Sequence, residues 1–409
     1  MSIPGQTMGI SVFTDSLIEV LKLSRVNLSL AYLIGTLTSA LILTPAGKLY
    51  DRFGARAVGS VTIFFLALQI LFLSRLAVVV PVLQRGGGIA ARIAPFIVIT
   101  VSFFFLRFLG QGMLTLVSRN MVMKWFEAKR GLANAIMGTF VTFGFSYAPK
   151  LFNSLINQYE WDGAWFRMSL LLITAVLLIF WLFARDNPRE CGLLPDGGKG
   201  KMRGSEKGTA AAEPSKDFTL AEARRTLPFW VFSLSLCLTA LISTAMTFHI
   251  VSIFQTSGMT RDIAVGIFLP ASVISVCLNF AASWLSDHIP IRYILLIHII
   301  GQILTLVFIA GLGPGTPYVL LIIGYGILMG LFNVLMTIVW PKYFGVTHLG
   351  AISGMSMAFI VAGSAVGPYL FSLSLKITGF YRAACWFSLG FSLILFVLSF
   401  WVRKPEAPR

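Results

Sequence analysis

Residues 28–76 read LSLAYLIGTLTSALILTPAGKLYDRFGARAVGSVTIFFLALQILFLSRL. Two apolar runs, 28–46 and 57–76, flank a short break at 47–56 that holds one acid and three bases. A helix rises 1.5 Å per residue, so about 20 apolar residues cross the ~30 Å hydrocarbon core of a bilayer. The runs are continuous rather than alternating. In lipid every backbone polar group must be satisfied within its own segment or in a closed barrel, and continuous runs select helices.

The pattern repeats along the chain. Apolar segments lie near 3–21, 28–46, 57–76, 94–118, 132–155 and 165–183, and a second series near 229–253, 264–285, 291–312, 317–340, 350–374 and 381–402. The first segment is short and carries Pro4, Gln6, Thr7 and Asp15, so it reads as a short or truncated span, or as an interfacial segment. The long hydrophilic stretch, 185–226, divides the two series and includes nine Lys or Arg. We therefore expect an all-α polytopic membrane protein with twelve spans in two six-helix bundles, 1–184 and 227–409, joined by a flexible cytoplasmic linker at 185–226.

Composition agrees. Of 409 residues 57% are hydrophobic and 12% charged, against about 25% charged in soluble proteins. The mean hydropathy is +0.84. A net charge of +16 raises nucleic acid as a partner, but the bases sit between apolar runs instead of on one face. Of the 32 Lys and Arg, 21 fall on the side of the 47–56 loop and the linker and 10 on the other, with Arg107 inside a span. The basic side is expected to be cytoplasmic, with both termini there, in a bacterial inner membrane. The N-terminus shows no basic region ahead of an apolar stretch, so no cleavable signal is read. Cys191, Cys237, Cys277 and Cys385 are scattered, without metal-ligand spacing, and no metal or cofactor is expected.

The break after the second run is Gly47-Lys-Leu-Tyr-Asp51-Arg52-Phe-Gly54-Ala-Arg56. At the equivalent place in the second half stands Ser283-Trp-Leu-Ser-Asp287-His-Ile-Pro-Ile-Arg292, with the same step from Asp to Arg. A second echo pairs Lys124-Trp-Phe-Glu-Ala-Lys-Arg-Gly131 with Lys342-Tyr-Phe-Gly-Val-Thr-His-Leu-Gly350. These are traces of an internal duplication.

The first of these loops resembles the signature Gly-x-x-x-Asp-Arg-x-Gly-x-Arg of the major facilitator superfamily. Arg107-Phe-Leu-Gly-Gln-Gly112, Trp125-Phe-Glu-Ala-Lys-Arg-Gly131, Pro188-Arg-Glu-Cys-Gly-Leu-Leu-Pro-Asp196 and Phe248-His249 are similar to its monocarboxylate-transporter-like and oxalate/formate-antiporter-like branch. The resemblance covers nearly the whole chain. It implies a secondary transporter, not an enzyme, with a site between two bundles exposed alternately to each side. It also implies a conformational gating role for Gly47, Asp51, Arg52, Gly54 and Arg56, and for Asp287 and Arg292. Solvated loop charge is the other reading of Asp51. Two features of that branch have no counterpart: the helix 8 arginine and aspartate are missing from 264–285, and the helix 11 lysine from 350–374.

Ionisable groups inside spans are costly and ask for a reason. Arg107, midway along the fourth span, is a permanent cation that can grip a carboxylate bidentately, or else bonds only to neighbouring helices. His249, in the seventh span, can donate to an anion or exchange a proton, or serve as a core histidine. His298 reads as structural. No Asp or Glu lies at the centre of a span, which disfavours cationic substrates and a sodium cage. Gln111 follows Arg107 by one α-helical turn, and Tyr32 and Asn333 are further mid-span candidates for substrate binding. The expected activity is transport of a small organic anion, a monocarboxylate or relative, by proton symport or anion exchange, by a monomer in the lipid bilayer. A neutral solute and a non-transporting sensor are the alternatives.

Overall fold

The computed structural model describes residues 2–85, 87–197 and 217–406. Among the described residues every regular element is helical. The first half comprises α1 (Thr7–Ser11), α2 (Thr14–Leu21), α3 (Arg25–Leu73), α4 (Leu76–Gln84), α5 (Gly88–Leu106), α6 (Thr115–Trp125), α7 (Arg130–Leu171) and α8 (Leu177–Phe183). The second comprises α9 (Leu220–Ala223), α10 (Leu227–Gln255), α11 (Arg261–Gly266), α12 (Phe268–Leu285), α13 (Ile291–Ala310), α14 (Thr316–Phe344), α15 (Leu349–Thr378) and α16 (Arg382–Ser399). Nine helical stretches among the described residues are long and apolar enough to cross a membrane. One of them, Leu30–Leu73, holds the second and third expected spans, and α7 runs from the fifth into the sixth, which keeps the observed helices consistent with twelve.

The pairs merge because their turns are tight. Within α3 the break falls at Gly54, at φ 75° and ψ 174°, a conformation that glycine adopts without strain. Within α7 it falls at Glu160, at φ 60°. The expected short first span is a broken one: a 3-10 turn at Ile3–Gly5 and then α1 and α2, neither of spanning length. Stretch 198–216 of the expected flexible linker, with most of its GGKGK run, lies outside the described residues, as do Met1 and the terminal Arg409.

Large apolar side chains such as Leu41, Phe140, Phe183 and Leu269 are exposed. In water such a surface is an aggregation hazard, whereas in a multi-pass membrane protein it is the lipid-facing wall. Contacts divide the chain into two compact units. Unit 1 gathers 1–121, 140–186 and 353–361, and unit 2 gathers 122–139, 187–352 and 362–409. In unit 1 Phe13 is fully buried, edge-on to Trp165 at 4.8 Å and near Phe152. In unit 2 helices approach through small residues. A Cβ on Gly326 or Gly330 would come 2.7 Å from Ile274 or the Ser275 carbonyl, so α14 lies against α12. Gly363 and Gly367 likewise press α15 onto the Cys237 and Leu241 carbonyls of α10.

Candidate functional site

In unit 1, α5 ends at Leu106 and the helix widens into a π-helical segment, Arg107–Leu114, before resuming as α6. Its i→i+5 bonding forms a wider turn, a feature that recurs at functional sites. Two glycines let the N-terminal residues reach it. A Cβ on Gly110 would lie 2.6 Å from the Gly5 Cα, so only glycine fits at this crossing. The approach brings Thr7 beside Arg107.

Arg107 is fully buried. Its Nη1 donates to the Thr7 Oγ1 at 3.0 Å, and the guanidinium lies 5.2 Å from the centroid of the Tyr32 ring. The Tyr32 phenol in turn shares a hydrogen bond of 2.9 Å with Thr7. Gln6 donates to Thr115 Oγ1 at 3.2 Å on the far side of the widened turn. Gln111 is half-buried, and its Oε1 is a buried acceptor with no hydrogen-bond partner among the described residues. The α-helical spacing that put Gln111 on the face of Arg107 does not hold in a π turn. Both residues nevertheless belong to the same widened segment. Thr7 is the residue that spacing arguments missed: it is an ordinary threonine in a weak segment, and only the Gly5 to Gly110 contact reveals its partner.

In unit 2, His249 is half-buried on α10, and its Nε2 meets the Pro368 carbonyl at 3.0 Å and the Ser372 Oγ at 3.1 Å, both on α15. A carbonyl only accepts, so Nε2 carries the proton in this arrangement. The Tyr381 ring lies 5.5 Å away. Asn333 is half-buried in α14, and its carbonyl accepts from Thr337 Oγ1 at 2.9 Å. His298 is fully buried beside Thr239 Oγ1 at 2.9 Å, while Gln302 Nε2 donates to Thr239 Oγ1 at 2.8 Å and to the Ser235 carbonyl at 2.7 Å. This cluster ties α10 to α13 with neutral groups only. Among the described residues no group of three or more His, Cys, Asp or Glu is suited to a metal.

The two duplicated loops are held differently. At 47–56, Asp186 Oδ1 accepts from the Ala55 N–H at 2.9 Å, and a Cβ on Gly54 would meet that carboxyl at 3.1 Å. Arg56 Nε donates to the Trp181 carbonyl at 2.8 Å, with its guanidinium 4.6 Å above the Trp181 ring. The turn is thus fastened to the end of α8. Arg52 is exposed over Phe53, and Asp51 is half-buried. A Cβ on Gly354 of α15 would lie 3.3 Å from the Gly47 Cα, and Asn120 donates to Ser353 Oγ at 2.8 Å.

At 283–292 the aspartate itself grips a helix start. Both Asp287 oxygens accept from the Gly131 N–H, at 3.2 and 3.1 Å, in the first turn of α7. An anion is favoured there by the helix dipole. Lys342 lies 3.5 Å from Asp287 and donates to the Ser286 carbonyl. Asn134 Nδ2 donates to Ser283 Oγ at 2.9 Å, and Gly131 touches the Ser283 carbonyl where any side chain would collide. Arg292 turns to the Tyr293 hydroxyl at 3.0 Å.

The described ends of the linker carry two further anchors that no motif announced. Asp196 accepts from the N–H groups of Glu127, Ala128 and Lys129 at 3.2, 2.8 and 3.1 Å. Asp217 accepts from Val346 N–H at 2.9 Å, from Thr347 N–H at 2.8 Å and from the Thr347 hydroxyl. These are the equivalent turns of the two repeats, ahead of α7 and α15. Burial by itself would raise the Asp196 carboxyl. The donors Ala128, Lys129 and Glu127, with the charge of Lys129, outweigh it and hold the group below the usual carboxylate value.

Long apolar helices, a duplicated loop and a buried cation on a widened helical turn define a polytopic membrane protein of the transporter class. The profile of the Major Facilitator Superfamily matches residues 2–343, and the chain belongs to that superfamily. It is therefore a secondary transporter, a multi-pass carrier of small molecules. No curated protein sequence matches it significantly. Among solved structures it is similar to the E. coli fucose:proton symporter FucP, with 15% identity, 96% of each chain covered and a TM-score of 0.63. It is also similar to the proton:xylose symporter XylE bound to 6-bromo-6-deoxy-D-glucose, with 14% identity, 99% of this chain and 94% of that one covered and a TM-score of 0.65. A third is the human organic anion transporter MFSD10, with 15% identity, 94% and 88% covered and a TM-score of 0.57. At such identities the likeness establishes the fold alone.

Proposed function

We propose that this transporter carries a small organic anion, a monocarboxylate or related carboxylate, and that it belongs to the monocarboxylate-transporter-like and oxalate/formate-antiporter-like branch. The observation that carries the reading is Arg107: a guanidinium fully buried in a span, on a π turn, held by Thr7 and faced by Tyr32. A charged side chain at mid-span costs ~2.5 to 3.5 kcal/mol by insertion scales, and an anionic cargo returns that cost through charge-assisted bonds. Gln111 offers an acceptor to a protonated or hydroxylated substrate from the same segment. Asn333 and His249 are the candidates on the second half. Because the His249 Nε2 is already engaged by α15, the observations favour proton exchange over anion grip for this residue.

Residues 1–184 and 227–409 act as two bundles that rock around the site, the linker side facing the cytoplasm of a bacterial cell, and the protein works as a monomer. Asp287 on the Gly131 N–H, and the 47–56 loop with Gly47, Asp51, Arg52, Gly54 and Arg56, are the contacts made in one state and released in the other. Arg292 is the second-half counterpart of Arg56 in this gating set.

Uptake of radiolabelled monocarboxylates into proteoliposomes, with and without a pH gradient, tests the reading. Accumulation that collapses with the gradient identifies proton symport, and gradient-independent exchange identifies antiport. An Arg107→Gln variant that transports carboxylates with wild-type rate and affinity would overturn the anion grip. Transport of neutral solutes alone would reassign the cargo.

A further inference from the structure

Unit 2 contains a cavity of about 800 Å³ at its linker side, between the start of α13, the end of α14 and the segment after α16. Its walls carry Arg130, Arg292, Lys342, Arg403 and Lys404 against two carboxylates, Glu127 and Asp217. Setting aside two charges already engaged leaves the excess of cations unchanged, with Arg130, Arg292, Arg403 and Lys404 against Glu127. Asp217 is spent on the Val346 and Thr347 N–H groups and the Thr347 hydroxyl, and Lys342 on Asp287. Among the described residues no carboxylate lies within ion-pair distance of Arg292, Arg403 or Lys404.

One of these cations is held by its side chain and two by the course of the backbone. Arg292 is fixed by its bond to the Tyr293 hydroxyl and lies 4.9 Å from that ring. Arg403 and Lys404 follow Val402, which is fully buried and pins the departing chain to the unit. The solvated-loop explanation of basic residues does not require them to line one concave wall. The depth is informative as well: Tyr293 and Trp401, adjacent to these cations, are both exposed, as aromatic residues are at the headgroup level of a bilayer.

We propose that this cavity is a binding site for a phosphate-bearing anion, distinct from the cargo site around Arg107. Guanidinium pairs recognise phosphate oxygens bidentately, and basic pockets between helix ends on the cytoplasmic side suit anionic lipid headgroups. The aromatic neighbours favour a lipid phosphodiester over a free phosphate. Both share the chemistry that the cavity recognises.

The test uses the full chain in nanodiscs, with thermal unfolding as the readout. One arm compares phosphatidylcholine discs with discs that also contain phosphatidylglycerol. The other adds inorganic phosphate to phosphatidylcholine discs against chloride at matched ionic strength. A ligand that binds the folded state raises its unfolding midpoint. The wild type should gain from phosphatidylglycerol, and the Arg292→Gln/Arg403→Gln/Lys404→Gln variant should lose most of that gain. Arg403→Gln/Lys404→Gln, confined to the exposed end of the chain, should lose part of it if the triple variant does not fold. A variant with the exposed Arg189, Arg224 and Arg225 changed to Gln removes the same charge outside the cavity and should keep the gain. Protection by inorganic phosphate alone, lost in the cavity variants, would assign the site to a soluble phosphate. No gain by the wild type in either arm, or a gain that the cavity variants retain, overturns the proposal.

Discussion

Two buried polar centres, one in each unit, show how differently a membrane helix can use a polar side chain. In unit 2, His298 and Gln302 of α13 bond to Thr239 and Ser235 of α10, although the Gln302 Oε1 is left, like that of Gln111, without a hydrogen-bond partner among the described residues. In unit 1, Arg107 brings a permanent charge into the same kind of environment, where it donates to the Thr7 hydroxyl and faces the Tyr32 ring. The first centre is helix-to-helix glue, a role worth about 0.6 kcal/mol per hydrogen bond within a membrane bundle. The second carries a charge that glue does not require. The contrast teaches that burial of polarity by itself marks no function, whereas burial of charge on an irregular turn does.

The largest effect is expected at Arg107. Arg107→Gln should weaken uptake of a monocarboxylate by about 10- to 150-fold, the range expected for loss of a charge-assisted bond of about 1.5 to 3 kcal/mol. Proteoliposome uptake over a range of substrate concentrations measures it. Gln302→Leu should instead lower thermal stability, by about 1 to 2 kcal/mol for its two short hydrogen bonds, and leave substrate affinity unchanged. If it lowered affinity as Arg107→Gln does, the buried cluster of unit 2 would belong to the site.

A finer division is expected at His249. His249→Gln should cost about 0.6 kcal/mol of stability through the lost bonds to Pro368 and Ser372. Its main effect should be on the pH dependence of uptake, with affinity at a fixed pH nearly unchanged. The smallest effect belongs to the linker. Asp196→Asn should cost a few tenths of a kcal/mol, about the value of an exposed charge at a helix start. The sign with pH is fixed by the lowered carboxyl. Its contribution is complete above the unfolded value of about 3.9 and disappears as pH falls through the lower folded value, so wild type and variant should converge on the acid side. Unfolding midpoints recorded from neutral to acid pH check this.

The helices were legible because their signal is additive: some twenty apolar residues in a row need no partner to be recognised. The 47–56 loop was legible for a different reason, since glycine is the residue that takes a positive φ without strain, as Gly54 does. The candidate site was readable only in part. Arg107 stood out as a charge in an apolar run, but the π turn that carries it has no composition of its own, and the spacing that assigned Gln111 to its face presumed an α-helix. Thr7 was invisible because its meaning depends on Gly5 and Gly110, more than a hundred residues apart.

Hydropathy, turn chemistry and charge act over a few residues, so the order of amino acids already makes this a polytopic helical membrane protein with a duplicated plan and a cation inside a span. The partner that each polar group takes is set by helix packing. Asp287 sits on the Gly131 N–H, Asp196 and Asp217 on the equivalent turns before α7 and α15, and His249 on Pro368. Hydrogen bonds act over about 3 Å, and residues far apart in the chain come within that range only after the helices have packed.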